Sequence, residues 1–219
     1  MIEPIPGAVP RAVEELRAGR AIVVPFPSPL PYGVAATSQA AVNRAKGRPE
    51  DQPAGMVVAD FAGVAPYLAL DRAAAALTAW LCTDQRLNVF VPLAPGAPAW
   101  LVQDAAGGTA GLMGSWLPEL RGVLDPLGHL YVSSANVSKR AVATTASDAD
   151  AAFDGDLLVV DGDAHRTPGV PHGSATIIRV SAAGDLTVAR RGVNDIGFDD
   201  APAFLAELQR RYARATQPS

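Results

Sequence analysis

Apolar residues along this chain fall into two alternating patterns, one at helical spacing and one in short β-branched runs. Val13 and Leu16 recur at helical spacing behind Pro10 and ahead of Gly19, which predicts a first helix over 11–18. The run Ala21 to Pro25 predicts a buried strand. Similar runs predict strands at 56–59, 88–93, 100–103, 111–113, 129–133, 156–160, 175–180 and 185–189. Helical spacing returns at 38–45, 61–68, 72–82, 116–124 and 201–214, where the last helix carries many charges and is expected on the surface.

Between the first two strand and helix predictions lies Pro25-Phe26-Pro27-Ser28-Pro29-Leu30-Pro31-Tyr32-Gly33-Val34. Prolines at alternate positions forbid a helix and remove ladder donors, so 25–34 is expected as a stiff extended loop. A stiff loop after a buried strand suits the wall of a site.

Strands and helices interleave, while the last strands are joined by connections short enough for hairpins. The fold class expected is therefore α/β, with a mixed sheet rather than a purely doubly wound one. No repeat, low-complexity tract or linker divides the chain, so 1–219 is expected as one domain with a core over about 11–192. The acidic segment Asp195 to Asp200 is expected as a solvated connector to the last helix.

Composition narrows the function. Hydrophobic residues make up 49% and charged residues 18%, a globular balance. A net charge of −4 argues against a broadly basic nucleic-acid binder but leaves room for a local basic cleft. The one cysteine, Cys82, excludes a disulfide framework or a cysteine zinc site, and His129, His165 and His172 lack metal-site spacing. With no signal-peptide pattern and no apolar run of the ~20 residues a membrane helix needs, a soluble cytoplasmic protein is expected.

Three short motifs can carry chemistry. In Asn43-Arg44-Ala45-Lys46-Gly47-Arg48-Pro49, Gly47 and Pro49 end a helix and leave Lys46 and Arg48 on a turn, where two cations can meet one anion. The same pair would equally complement a helix C-terminus. Ser133-Ser134-Ala135-Asn136-Val137-Ser138 follows a predicted strand, where hydroxyls and an amide can bind phosphate or ribose, or merely cap a turn; Lys139-Arg140 adds positive charge. Arg190-Arg191-Gly192, with His172-Gly173-Ser174-Ala175-Thr176, can bring a guanidinium and hydroxyls to one mouth. No Ser-His-Asp order, H-E-x-x-H or Gly-rich phosphate loop is present, so these motifs point to anion or nucleotide binding and identify no nucleophile.

Taken in order, the Y-G turn at Tyr32-Gly33, the K-G-R-P at 46–49, the S-A-N-x-S at 134–138, the small-residue strand near Thr176 and the R-x-G at 190–192 resemble the YrdC-like family. That family includes the L-threonylcarbamoyladenylate synthases. The resemblance covers about Val13 to Gly192 and implies a single twisted α/β domain with a concave, positively charged cleft. It implies a nucleotidyltransferase that condenses ATP, L-threonine and bicarbonate to threonylcarbamoyl-AMP for tRNA adenosine modification, with Mg2+ riding on the ATP. By position, Lys46, Arg48, Ser134, Asn136 and Arg190 would bind nucleotide or anion, and Ser28, Tyr32 and Thr176 would line the substrate pocket.

The sequence departs from the family pattern on the substrate side. A loop of the form P-T-D-T-x-Y-G appears as Pro27-Ser28-Pro29-Leu30-Pro31-Tyr32-Gly33, P-G-P-L-T appears as Asp84-Gln85-Arg86-Leu87-Asn88, and an expected arginine is Met113. The sequence therefore leaves three functions open: an active synthase, a repurposed paralogue that binds nucleotide or RNA in the same cleft without turnover, or related chemistry on a different acceptor.

Overall fold

A computed structural model describes residues 1–103, 108–137 and 140–217. Ser138 and Lys139, named above, lie outside the described residues. The strands are β1 (Ile2–Pro4), β2 (Ile22–Pro25), β3 (Tyr32–Ala36), β4 (Gly55–Val58), β5 (Asn88–Pro92), β6 (Thr109–Met113), β7 (His129–Ser134), β8 (Leu158–Asp161), β9 (Ile177–Val180) and β10 (Leu186–Arg190). The helices are α1 (Ala8–Arg17), α2 (Gln39–Ala45), α3 (Arg72–Thr83), α4 (Arg121–Leu124), α5 (Ala146–Ala152) and α6 (Ala201–Ala215).

The strands form one ten-stranded sheet in the order β1-β8-β2-β3-β7-β4-β6-β5-β9-β10. Parallel pairs (β1 with β8, β2 with β8, β4 with β6, β5 with β9) are combined with antiparallel ones (β2 with β3, β3 with β7, β4 with β7, β5 with β6, β9 with β10), so the sheet is mixed as expected. Side chains alternate between faces along each strand. Val23, Val34, Met56 and Val89 join one core beneath α2, α3, α5 and α6, while Ile22, Val24, Val57 and Val132 join a second beneath α1 and α4. Burial on both faces is why these strands read as continuous apolar runs.

Several elements differ from expectation for identifiable reasons. The prolines restrict the chain only as far as Pro31; Tyr32 opens β3, which pairs with β2 in the register Val23↔Val34 and Pro25↔Tyr32, so 25–34 is a hairpin and not a loop throughout. Residues 100–103 form a turn, with Leu101 N–H donating to Pro98 O, and their apolar character reflects burial of Leu101 rather than ladder pairing. Leu117 precedes a proline and is extended, so the helix expected at 116–124 is a 3-10 turn at Pro118–Leu120 followed by the short α4. The helix expected at 61–68 is a single 3-10 turn, Ala65–Tyr67. Two elements are additional. β1 is only three residues long, and α5 is polar and alanine-rich but carries a capping box at Thr145 and Asp148. Among the described residues, no helix is long and apolar enough to cross a membrane.

Candidate functional site

On the sheet face that carries α1 and α4, a cleft of about 270 Å³ opens across β7, β4, β6, β5 and β9. Its polar wall holds Arg48, Ser133, Ser134, Ser174 and Arg190, and its far end holds Phe26, Leu30, Phe90 and Met113 around Asn88 and Gln103.

Arg48 reaches the cleft because of how α2 ends. Ser38 caps the helix start, Lys46 its end, and Gly47 takes φ +62, a left-handed turn that costs glycine little. The following loop wraps around Asn43, which is fully buried; its amide donates to Glu50 O at 2.8 Å and to Gln52 O at 2.7 Å. Its Oδ1 accepts from Arg48 Nε at 2.5 Å, which fixes one edge of the guanidinium. The other edge is not satisfied: Arg48 Nη2 is buried without a hydrogen-bond partner. Burial lowers the pKa of Arg48. A buried donor on a cation, left open at a cleft wall, favours a carboxylate or phosphate oxygen.

Lys46 does something other than expected. It is buried, and Nζ donates to Ser134 O, to Asn136 O at 2.7 Å and to Asn136 Oδ1 at 2.9 Å. Burial first, and then the charge of Arg48, push its pKa down to about 7. The three acceptors favour the protonated form. Lys46 therefore binds the loop after β7 rather than facing the cleft. Asn136 is likewise committed: its amide donates to Arg140 O at 2.8 Å, and Oδ1 accepts from Ser134 Oγ at 2.8 Å. Of the residues assigned to anion binding, Arg48, Ser134 and Arg190 line the cleft; Lys46 and Asn136 stand behind it.

Arg190 ends β10 just after a register irregularity at Val188/Arg190, and its Nη2 donates to Ala175 O at 2.9 Å. Burial lowers its pKa as well. The cleft wall beside it depends on Gly192, where an added Cβ would lie 2.4 Å from Ser174 O and 2.5 Å from Thr176 N.

The three residues expected in the substrate pocket do not line the cleft. Tyr32 points into the opposite core, where its hydroxyl donates to Asp163 at 2.6 Å and accepts from Gly162 N–H at 3.1 Å. Burial, and then the bond to Asp163, raise its pKa. Ser28 is buried, with Oγ 2.9 Å from His172 Nε2 and accepting from Thr167 N–H at 2.8 Å. Thr176 is fully buried and donates to Asp195 at 2.7 Å. All three are interior hydroxyls, each satisfied by a neighbour. A signal for Tyr32 was available: period-2 alternation places it on the same face as Val34 and Ala36.

Sequence patterns gave no role to Asn43 or Asn88, although both fall within motifs named above, and passed over Phe90 and Gln103, which belong to no such motif. Met113, a departure from the family pattern, does line the cleft and brings a neutral thioether there. Among the described residues, no group of three or more His, Cys, Asp or Glu could hold a metal ion.

Comparison with known proteins agrees with this fold. No curated protein matches the sequence. The fold is similar to P. abyssi Sua5 complexed with L-threonine, at TM-score 0.70 and 20% identity, over 88% of this chain and 57% of that one. It is similar to E. coli YciO at TM-score 0.68 and 17% identity, over 90% of this chain and 98% of that one. It is also similar to full-length HypF in a phosphate- and nucleotide-bound form, at TM-score 0.62 and 13% identity, over 86% of this chain and 29% of that one. The chain thus spans little more than half the length of the Sua5 protein. The Sua5/YciO/YrdC family, described under telomere recombination, matches residues 14–192, and this chain belongs to that family.

Proposed function

We propose that the cleft binds ATP through its phosphates and carries out adenylate formation of the threonylcarbamoyl-AMP type. The observation that carries this is the open, buried Arg48 Nη2 in a wall shared with Arg190 and Ser134. The Sua5 structure complexed with L-threonine and the nucleotide-bound HypF structure lend support from related folds. In the reaction, the threonine amine and bicarbonate form a carbamate with loss of water. A carbamate oxygen then attacks the α-phosphorus of ATP, and pyrophosphate leaves. The side chains on this wall have no general base to offer, so their contribution is positioning and charge neutralisation. Arg48 and Arg190 would neutralise phosphate oxygens, the Ser134 hydroxyl would fix one of them, and Lys46 would hold the loop that presents Ser134. Magnesium enters only as the ion carried on ATP.

A second function rests on a specific observation. Met113 is neutral where the family pattern has arginine, and Ser28, Tyr32 and Thr176 lie outside the cleft. A nucleotide or RNA binder without turnover would keep the arginine wall and dispense with the rest. Titration of ATP with Mg2+, followed by addition of L-threonine and bicarbonate with pyrophosphate monitored, separates the two. Pyrophosphate that depends on threonine and bicarbonate supports the synthase; binding without turnover supports the binder; no ATP binding removes both.

A further inference from the structure

The far end of the cleft holds polar atoms that neither the arginine wall nor the family motifs use. Gln103 is 6% exposed, and its Oε1 accepts from Gly111 N–H at 2.7 Å, which orients the amide and makes Nε2 the free donor. That Nε2 is buried without a partner, and so is Asn88 Oδ1. Both residues line the cleft alongside Phe90 and Met113.

Their placement follows from the sheet. Met56↔Leu112 and Phe90↔Gly111 are in register, so β4, β6 and β5 carry Gly55, Gly111 and Phe90 side by side. A Cβ on Gly111 would lie 2.9 Å from the Phe90 ring and 3.2 Å from Gln103 Oε1, and a Cβ on Gly55 would lie 3.4 Å from the Asn88 amide. Two glycines thus leave room for two amides and a ring above the strands. An interior this apolar does not retain an open donor and an open acceptor without penalty. Met113, Leu30 and Phe26 also line the cleft, and Arg179 Cζ lies 5.4 Å from the Phe90 ring centroid.

We propose that Asn88 and Gln103 form a specificity pair for an uncharged, planar, amide-type group of the ligand, one that accepts from Gln103 Nε2 and donates to Asn88 Oδ1. This rests on the anion-binding wall proposed above and names the chemistry of the group beyond it. A carboxylate fits this pair poorly, since it offers no donor to Asn88 Oδ1. Two sources present the same chemistry: the edge of a nucleobase, or the side-chain carboxamide of an amino acid.

The test uses the full chain with Gln103→Met, which removes the free donor without adding charge, and Asn88→Leu, titrated with three probes. Inorganic tripolyphosphate reads the arginine wall alone, ATP adds the base, and L-asparagine and L-glutamine are compared with L-aspartate and L-glutamate. If the base is the source, ATP affinity falls about tenfold in both variants while tripolyphosphate affinity is unchanged. If the carboxamide is the source, the wild-type protein prefers the amides to the acids by about tenfold, and the variants lose that preference. Tripolyphosphate binding with ATP and amino-acid binding indifferent to both substitutions overturns the specificity pair and leaves the arginine wall standing. Failure of tripolyphosphate to bind overturns the arginine wall instead, and absence of binding by every probe overturns both.

Discussion

Lys46 Nζ lies 2.9 Å from Asn136 Oδ1 and 2.7 Å from the Asn136 carbonyl, so a residue at the end of α2 holds the loop that leaves β7. The bonds cross 90 residues of sequence and join two motifs that look independent when read along the chain. Replacing Lys46 by Met removes a charged donor from all three oxygens, leaving Asn136 Oδ1 only Ser134 Oγ, the Ser134 carbonyl only Asn136 N–H, and the Asn136 carbonyl without this bond. A loss of ~2–4 kcal/mol in unfolding free energy is expected, measured by urea denaturation. Retention of wild-type stability would mean the loop is held by other means.

On the proposed function, Arg48 and Arg190 bind the phosphates of ATP. Arg48→Ala and Arg190→Ala should each weaken ATP binding about tenfold or more, for the loss of ~1.5–3 kcal/mol of charge-assisted bonding. Calorimetry at two salt concentrations checks this, since removing a phosphate contact should also flatten the salt dependence.

Met113→Arg would return a cation to the neutral end of the cleft. Tripolyphosphate should bind more tightly, while the buried guanidinium should cost about 1–3 kcal/mol of stability without ligand. Titration and denaturation of the same variant give both signs; weaker polyphosphate binding would show that this end does not face the phosphates.

Asp195 contributes one pH dependence of stability. Burial by itself would raise its pKa, but donation from Gly192 N–H at 2.7 Å, Thr176 Oγ1 at 2.7 Å and Arg191 Nε at 2.5 Å outweighs it and holds the carboxyl below the usual range. A depressed folded-state pKa gives stability that is complete above the unfolded value of about 3.9 and is lost as pH falls through the folded one. Asp195→Asn should therefore be destabilised at pH 7, and its deficit relative to wild type should shrink as pH drops below about 4. A deficit constant from pH 7 to pH 3 would contradict this.

Gly192→Ala tests close approach rather than backbone torsion, because Gly192 is extended at φ −157. Its Cβ would meet the Ser174 carbonyl and the backbone of Ala175 and Thr176, which cannot rotate away. A destabilisation of about 2 kcal/mol or more is expected, with weaker ATP binding because Ser174 and Ala175 line the cleft.

The mixed sheet and most of its strands were legible because burial on both faces writes them as apolar runs. β1 was not, since three residues give no period, and α5 was hidden in a polar alanine-rich stretch whose capping box alone marked it. In the cleft, Arg48, Ser134 and Arg190 stand out because their types and order survive at a turn and two strand ends. Ser28, Tyr32 and Thr176 drew attention as hydroxyls in motif positions, but which face a hydroxyl occupies depends on register, and β3 was concealed by the prolines before it. Asn88 and Gln103 could not be paired from sequence, because only the adjacency of β5 and β6 brings them together.

β9 inserts beside β5, and β10 follows it at the sheet edge, so the cleft wall that begins at Arg48 is finished by Ser174 and Arg190. No contiguous portion of the chain contains the site. The cleft forms only after a closure of more than a hundred residues, a slow kind of contact to make during folding. A ligand held by both Arg48 and Arg190 would recognise only chains in which β9 and β10 have docked, and would stabilise the complete fold by RT ln(1 + [L]/Kd). Occupancy of this cleft would thus also report that β9 and β10 are docked.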